Sequence, residues 1–452
     1  MVRLEKFIAL LVLISTFMFL TGCAGTSTST SSGTSGGSGS GGSGSGGGSG
    51  SGGGSGSGGG SGSGGGSGSG GGSGSGGQSI PGYGAGIGAS GQTSASKFLY
   101  ANPLPGGSPY EVSIQGNGML TGEKSGSANN QNPMTMAIDP SGSFLYQTAL
   151  GYNRGTQGGL FVYAIDRSSG ALGTPVASYQ TGQSLAADVV DNQGKFLYVL
   201  GTSSVYAYSI QSGKGTLTPI SGSPFAAASS SSTQFPRAGN LMAIDQTNQF
   251  LYVSTSAGVF GYTIDQTSGQ LTPIAGSPFG ATQVPDGWAI VITPTNSYLY
   301  ELQVQDSTKI FGYSIDQATG ALTPLSASPF NAGGCGSVVP SGTIGIPGND
   351  NMTIASAGKF MYDDCGIYSI DERTGTISQV SAQGPGDWPV ISPTGNFLWA
   401  ITGDQQSCFT CEVGVTTYSV DENTGAFTAV PNSFLLLTDT EVGSLSSLAI
   451  TK

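Results

Sequence analysis

The stretch Leu241–Phe279 reads LMAIDQTNQFLYVSTSAGVFGYTIDQTSGQLTPIAGSPF and holds four strand-like runs: LMAI, FLYVST, VFGYTI and QLTPI. The turns DQTN and DQTSG between them are polar and rich in turn formers, so each closes a tight antiparallel connection. A lone four-stranded sheet cannot cover both of its faces and needs neighbours. The chain supplies them. The aromatic strand recurs as Phe98-Leu99-Tyr100, Phe144-Leu145-Tyr146, Phe196-Leu197-Tyr198, Phe250-Leu251-Tyr252, Tyr298-Leu299-Tyr300, Phe360-Met361-Tyr362 and Phe397-Leu398-Trp399. The later turn recurs with it, as Asp166 to Gly170, Gln211 to Gly215, Asp265 to Gly269, Asp316 to Gly320, Asp371 to Gly375 and Asp421 to Gly425, with a degenerate QGNG ending at Gly118.

A period of roughly 50 residues with four strands per repeat is that of propeller blades. The expected fold is all-β, a seven-bladed β-propeller of four-stranded antiparallel blades. The first blade begins at its second strand, Lys97 to Ala101. The missing inner strand stands at the far end as Leu448-Ala449-Ile450-Thr451. Pairing the C-terminal strand with the N-terminal blade closes the ring and removes two exposed edges.

Three segments are expected: a signal peptide over 1–22, a tether over 23–95 and the propeller over 96–452. Arg3 and Lys6 precede an apolar run from Phe7 to Leu20, short for a membrane span. The run ends in Leu20-Thr21-Gly22-Cys23, which resembles the bacterial lipobox, and that resemblance implies cleavage before Cys23 and lipidation of it. Acyl chains contribute about 0.8 kcal/mol per buried methylene, so several together hold a protein on a bilayer. Ala24 follows the cysteine where an inner-membrane retention signal would carry Asp. The implied location is exported and lipid-anchored on the cell envelope, at the outer membrane or cell surface. From Ala24 to about Gly77 the chain is almost wholly Gly, Ser and Thr, which cannot bury enough apolar area to order itself. Such a tether spans roughly 40 Å r.m.s. and lets the domain stand clear of the lipid.

The formal charge of −12, with only 13 Lys and Arg, argues against a nucleic-acid partner. There is no histidine, which removes Ser-His-Asp and Cys-His catalysis and HExxH zinc sites. Beyond Cys23 there remain Cys335, Cys365, Cys408 and Cys411, an even number suited to an oxidising compartment. The preferred pairing is Cys335–Cys365 and Cys408–Cys411, although four cysteines allow three connectivities. A redox-active CFTC and a four-cysteine zinc site are the alternatives. No cofactor is expected, and the domain is read as a monomer.

Strand direction assigns the loops to faces. The turns joining first to second and third to fourth strands are short and share one face. The longer connections, such as Ala226 to Asn240, Asn331 to Asn351 and Thr402 to Glu412, share the other, where sites usually form. Arg154, Arg237, Asp286, Trp288, Glu301, Asp387 and Trp388 are expected on that face. Glu301 and Asp286 are the candidate acid–base groups, and Arg237 is the candidate binder of an anionic ring. Trp288 and Trp388 each follow an Asp at the start of an inner strand. Blade-to-blade packing is one reading of them and a stacking platform for a sugar ring the other.

With the repeats placed, the chain resembles the seven-bladed lactonase family typified by bacterial 6-phosphogluconolactonase and related muconate cycloisomerases. The carriers are KFLYV after Gln193-Gly194, and YSIDQATGALTPL from Tyr313 to Leu325. The resemblance implies the propeller fold and hydrolysis or cycloisomerisation of a small carbohydrate-type lactone. That family often carries Pro-Arg-His leading into an inner strand, and a Glu just after an aromatic second strand. Here Pro236-Arg237-Ala238 lacks the His, and Glu301 lies in a different blade, whose inner strand is led by Pro285-Asp286-Gly287. The expectation is therefore a binding or scaffold propeller, attached to the membrane through its lipid and taking a glycan or protein, with lactone hydrolysis as the alternative.

Overall fold

The computed structural model describes residues 97–104, 107–125, 132–150, 158–227, 239–280, 287–303, 309–332, 351–364, 366–403, 413–438 and 444–451. The chain divides into two units, Met1–Gly74 and Ser75–Lys452, and all the described residues belong to the second.

Those residues form seven antiparallel sheets, each with a run of four strands from inside to outside. From inner to outer strand, blade one is Ser444–Ile450, Lys97–Leu104, Tyr110–Ile114 and Leu120–Ser125. Blade two is Asn132–Ile138, Phe144–Leu150, Gly159–Ala164 and Ala177–Gln180. Blade three is Leu185–Val190, Phe196–Gly201, Ser204–Ile210 and Leu217–Pro219. Blade four is Met242–Ile244, Phe250–Thr255, Gly258–Ile264 and Leu271–Pro273. Blade five is Gly287–Ile292, Tyr298–Gln303, Lys309–Ile315 and Leu322–Pro324. Blade six is Thr353–Ile354, Phe360–Asp363, Gly366–Ile370 and Ile377–Ser381. Blade seven is Asp387–Ile391, Phe397–Gly403, Val413–Val420 and Phe427–Ala429. Each inner strand packs against the inner strands on either side, all the way round.

Closure follows the expected register. Leu99 lies opposite Ile450, Tyr100 opposite Ala449 and Ala101 opposite Leu448. Thr451 finishes the seam: its Oγ1 accepts from the amide of Phe98 at 2.7 Å. The side chains of Asp139, Asp191 and Asp245 accept the corresponding amide in blades two, three and four, so a C-terminal residue stands in for a turn residue.

The repeated motif is a lock between blades. In each second strand the first aromatic packs on the glycine of the next blade's outer turn, and in six of the seven the third donates to that glycine's carbonyl. Tyr100, Tyr146, Tyr198, Tyr252 and Tyr300 donate to Gly170, Gly215, Gly269, Gly320 and Gly375 at 2.8, 3.3, 3.0, 2.8 and 2.7 Å. Trp399 closes the circle by donating to Gly118 at 3.0 Å. The glycine is required twice over. Gly170 has φ +73°, and a Cβ there would sit 2.3 Å from the ring of Phe98. One seam departs from the pattern: the buried hydroxyl of Tyr362, in blade six, has no hydrogen-bond partner.

One feature was not legible as a strand. After the outer Leu-Thr-Pro run, the chain returns to pair with the third strand, at Phe225–Ala226 in blade three and Phe330–Asn331 in blade five. Leu435–Thr438 does the same in blade seven.

Candidate functional site

Inner strands run towards the short-turn face and second strands run back, so the ends of the second strands and the starts of the inner strands share the long-loop face. Many of the polar groups buried in the ring lie there. They include Asn102, Gln147, Thr148, Asp188, Ser254, Glu301, Asn351 and Asp363.

The position directly after the aromatic triplet faces the preceding blade. In blade two it is Gln147, whose amide donates to Asn102 of blade one at 2.7 Å and accepts from Tyr163 at 3.1 Å. In blade five it is Glu301. Its Oε1 accepts from Ser254 of blade four at 2.5 Å, and Tyr313 also bonds its carboxyl. Ser254 and Asn102 hold the same place in their strands, as do Tyr313 and Tyr163 in theirs. Glu301 and Gln147 are thus the same device, a clamp across a blade seam, built once from a carboxyl and once from an amide. Blade six carries Asp363 at this position and Tyr368 at that of the tyrosine, both buried.

Burial pushes the Glu301 carboxyl up to about 7 against the bonds from Ser254 and Tyr313, which lower it. Its Oε2 has no hydrogen-bond partner. Asp188 repeats this behaviour from an inner strand. Its Oδ1 accepts from Thr135 at 2.5 Å, Oδ2 has no partner, and burial raises it to about 7. Asp387 is half-buried at the start of blade seven and is also raised to about 7, first by burial and then by the charge of Asp364. These three carboxyls lie in three different seams.

Trp388 is fully buried, with φ +49°, and its indole donates to the carbonyl of Leu448 at 3.1 Å across the seam to blade one. Trp288 lies within the inner strand of blade five, with its side chain outside the described residues. Arg154, Arg237, Asp286, Cys23, Cys335, Cys365, Cys408 and Cys411 all lie outside the described residues, and the two expected disulfides with them. Among the described residues no group of three or more His, Cys, Asp or Glu is placed to hold a metal ion.

The clamp residues Gln147, Tyr163 and Tyr313 were missed in the sequence, whereas Asp188 was legible there as a residue of the long-loop face. The available signal was positional. A polar residue directly follows the aromatic triplet in blades two, five and six, where Val or Ala stands in the others.

Residues 189–340 match the family described as lactonase, 7-bladed beta-propeller. No curated protein matches the sequence. Among solved structures, a candidate 6-phosphogluconolactonase from Bacteroides fragilis is 14% identical with a TM-score of 0.57, covering 80% of this chain and 100% of its own. One from Bacteroides uniformis is also 14% identical, with a TM-score of 0.59 and coverage of 78% and 100%. A Lactobacillus plantarum protein is 16% identical, with a TM-score of 0.57 and coverage of 79% and 99%. At these identities the likeness is one of fold. The family match covers blades three to five, and the structural likeness is that of a seven-bladed propeller.

Proposed function

We propose that this protein is an exported, lipid-anchored propeller of the lactonase type that serves as a binding or scaffold domain on the cell envelope. The observation that carries this reading is the equivalence of Glu301 and Gln147. A general base must hold a proton-accepting atom against substrate or water. Glu301 instead sits with no exposed surface in a blade seam, in a place that an amide fills equally well in blade two. The lipobox ending at Cys23 and the Gly/Ser tether supply the anchoring half of the reading.

Lactone hydrolysis is the second reading. It is favoured by the family match over residues 189–340 and by the names of the two Bacteroides proteins, which point to a sugar lactone. The unpartnered Oε2 of Glu301, with its carboxyl raised to about 7, also suits a base working near neutrality.

The two separate in one experiment. Full-length Cys23→Ser protein is incubated with glucono-lactone in a pH-stat, beside the same chain carrying Glu301→Gln. The binding reading expects both to match the buffer rate. Turnover that falls about 100-fold or more in Glu301→Gln, the usual scale for losing a general base, would overturn it.

A further inference from the structure

Parting two neighbouring blades carries a different cost at each seam. At six seams the third aromatic of the triplet donates to the turn glycine of the next blade, so parting those blades breaks a hydrogen bond. The seam between blades six and seven lacks that bond. The hydroxyl of Tyr362, whose place calls for the carbonyl of Gly425, is buried there without a partner.

A second residue of the same seam departs from the repeat. The inner-strand residue directly opposite the third aromatic points to the same side of the blade. It is Ala449, Ala137, Val189, Ala243, Val291 and Val390 in blades one to five and seven. In blade six it is Thr353, opposite Tyr362. The Thr353 hydroxyl is also buried and without a partner. Tyr362 packs with Ile391, Leu398 and Ala400 of blade seven, so both hydroxyls look into an apolar seam. Blade six is the least paired blade as well. Its inner strand has two residues and its second strand four, where the other second strands have six to eight. On its other side it is held to blade five by the bond from Tyr300 to Gly375, at 2.7 Å.

A buried hydroxyl without a partner costs free energy that water restores on exposure. Opening any of the other six seams gives up a bond, while opening this one lets water reach two groups that have none. We infer that the seam between blades six and seven is where the native ring opens locally, ahead of the seam between blades seven and one that borders the C-terminal closing strand. Local openings of this kind lie below global unfolding in free energy and expose the least well satisfied parts of a fold first. Blade six stays locked to blade five, so the two part from blade seven together. The inference stands apart from both readings of the function.

Alkylation of buried thiols reads the opening seam by seam. Ala400, Val253 and Ala101 each directly follow an aromatic triplet and are fully buried, in the seams between blades six and seven, three and four, and seven and one. Full-length chains carrying Ala400→Cys, Val253→Cys or Ala101→Cys are treated with iodoacetamide in native buffer. Mass spectrometry then follows each peptide, which keeps the native cysteines apart from the introduced one. The thiol at position 400 is expected to react about tenfold faster, or more, than those at 253 and 101. Thr353→Val replaces the unpartnered hydroxyl by a methyl group of similar size. It should slow the reaction at 400 about tenfold or more and leave the other two positions unchanged. Without any introduced cysteine, Thr353→Val should also raise the urea unfolding midpoint. Equal rates at the three positions, the fastest reaction at 101, no slowing at 400 by Thr353→Val, or a Thr353→Val chain that is destabilised overturns the inference.

Discussion

Single residues set the seams. Gly320 carries φ +73°, and a Cβ there would meet Phe250 at 2.5 Å and Ile274 at 2.6 Å. Gly320→Ala therefore combines backbone strain with overpacking, and about 3 kcal/mol or more should be lost on urea unfolding. Gly173→Ala is the matched control, since Gly173 is exposed with nothing within 4 Å of the added carbon. Tyr252→Phe removes one lock bond, 2.8 Å to the Gly320 carbonyl, and leaves that carbonyl unsatisfied. Its expected cost is about 1–3 kcal/mol. At position 362 the same change removes a hydroxyl that has no partner, so Tyr362→Phe should be neutral or stabilising, as read by the same unfolding midpoint. The aromatic triplet and the turn glycine were both visible in the sequence. Their contact was not, because it joins positions about 70 residues apart in neighbouring blades, and no local pattern reports a pairing at that distance.

Among whole elements, the C-terminal strand matters most to the ring. Its register with blade one follows from the phase of the repeat, since the first blade lacks an inner strand and the last residues supply one. Deleting 447–452 uncovers strand edges and removes Leu448 and Ile450, both buried, so several kcal/mol of stability should be lost. A deletion mutant with the wild-type midpoint would contradict the closure. The returning segments at Phe225–Ala226 and Phe330–Asn331 escaped notice because two residues are too few for a periodic signal. The clamps escaped for another reason. Glu301 reads as a loop-face acid in the sequence, and only its three-dimensional equivalence to Gln147 makes it a seam residue. Much of the fold was therefore legible, while the roles of the polar residues were not.

For the whole molecule, the proposed anchor and the pH response belong together, because a protein held on the envelope would meet the outside medium. Cys23→Ser should move the protein from the membrane fraction to the soluble fraction. A variant that stays membrane-bound with a processed N-terminus would contradict the lipid anchor. Within the propeller, burial raises Asp188, Glu301 and Asp387 to about 7 each. A carboxyl whose folded pKa lies above its unfolded value favours the folded state most when protonated. Stability is then fullest below about pH 4 and declines as the pH rises to about 7. The exposed turn carboxylates Asp166, Asp265, Asp316, Asp371 and Asp421 are lowered by turn hydrogen bonds and act the other way, losing their contribution below their unfolded values. The stability maximum should accordingly fall on the acid side of neutrality.

The central claim is that Glu301 is a seam clamp of the same kind as Gln147, and urea unfolding at pH 5 and pH 8 tests it most directly. Wild type should be less stable at pH 8, with Glu301 contributing on the order of 3 kcal/mol at most to the difference. Glu301→Gln should hold its pH 5 stability and gain at pH 8, narrowing the gap, because the amide keeps the bonds to Ser254 and Tyr313 without a charge to bury. A Glu301→Gln protein that is destabilised at pH 5, or that keeps the full wild-type difference between the two pH values, would contradict the account.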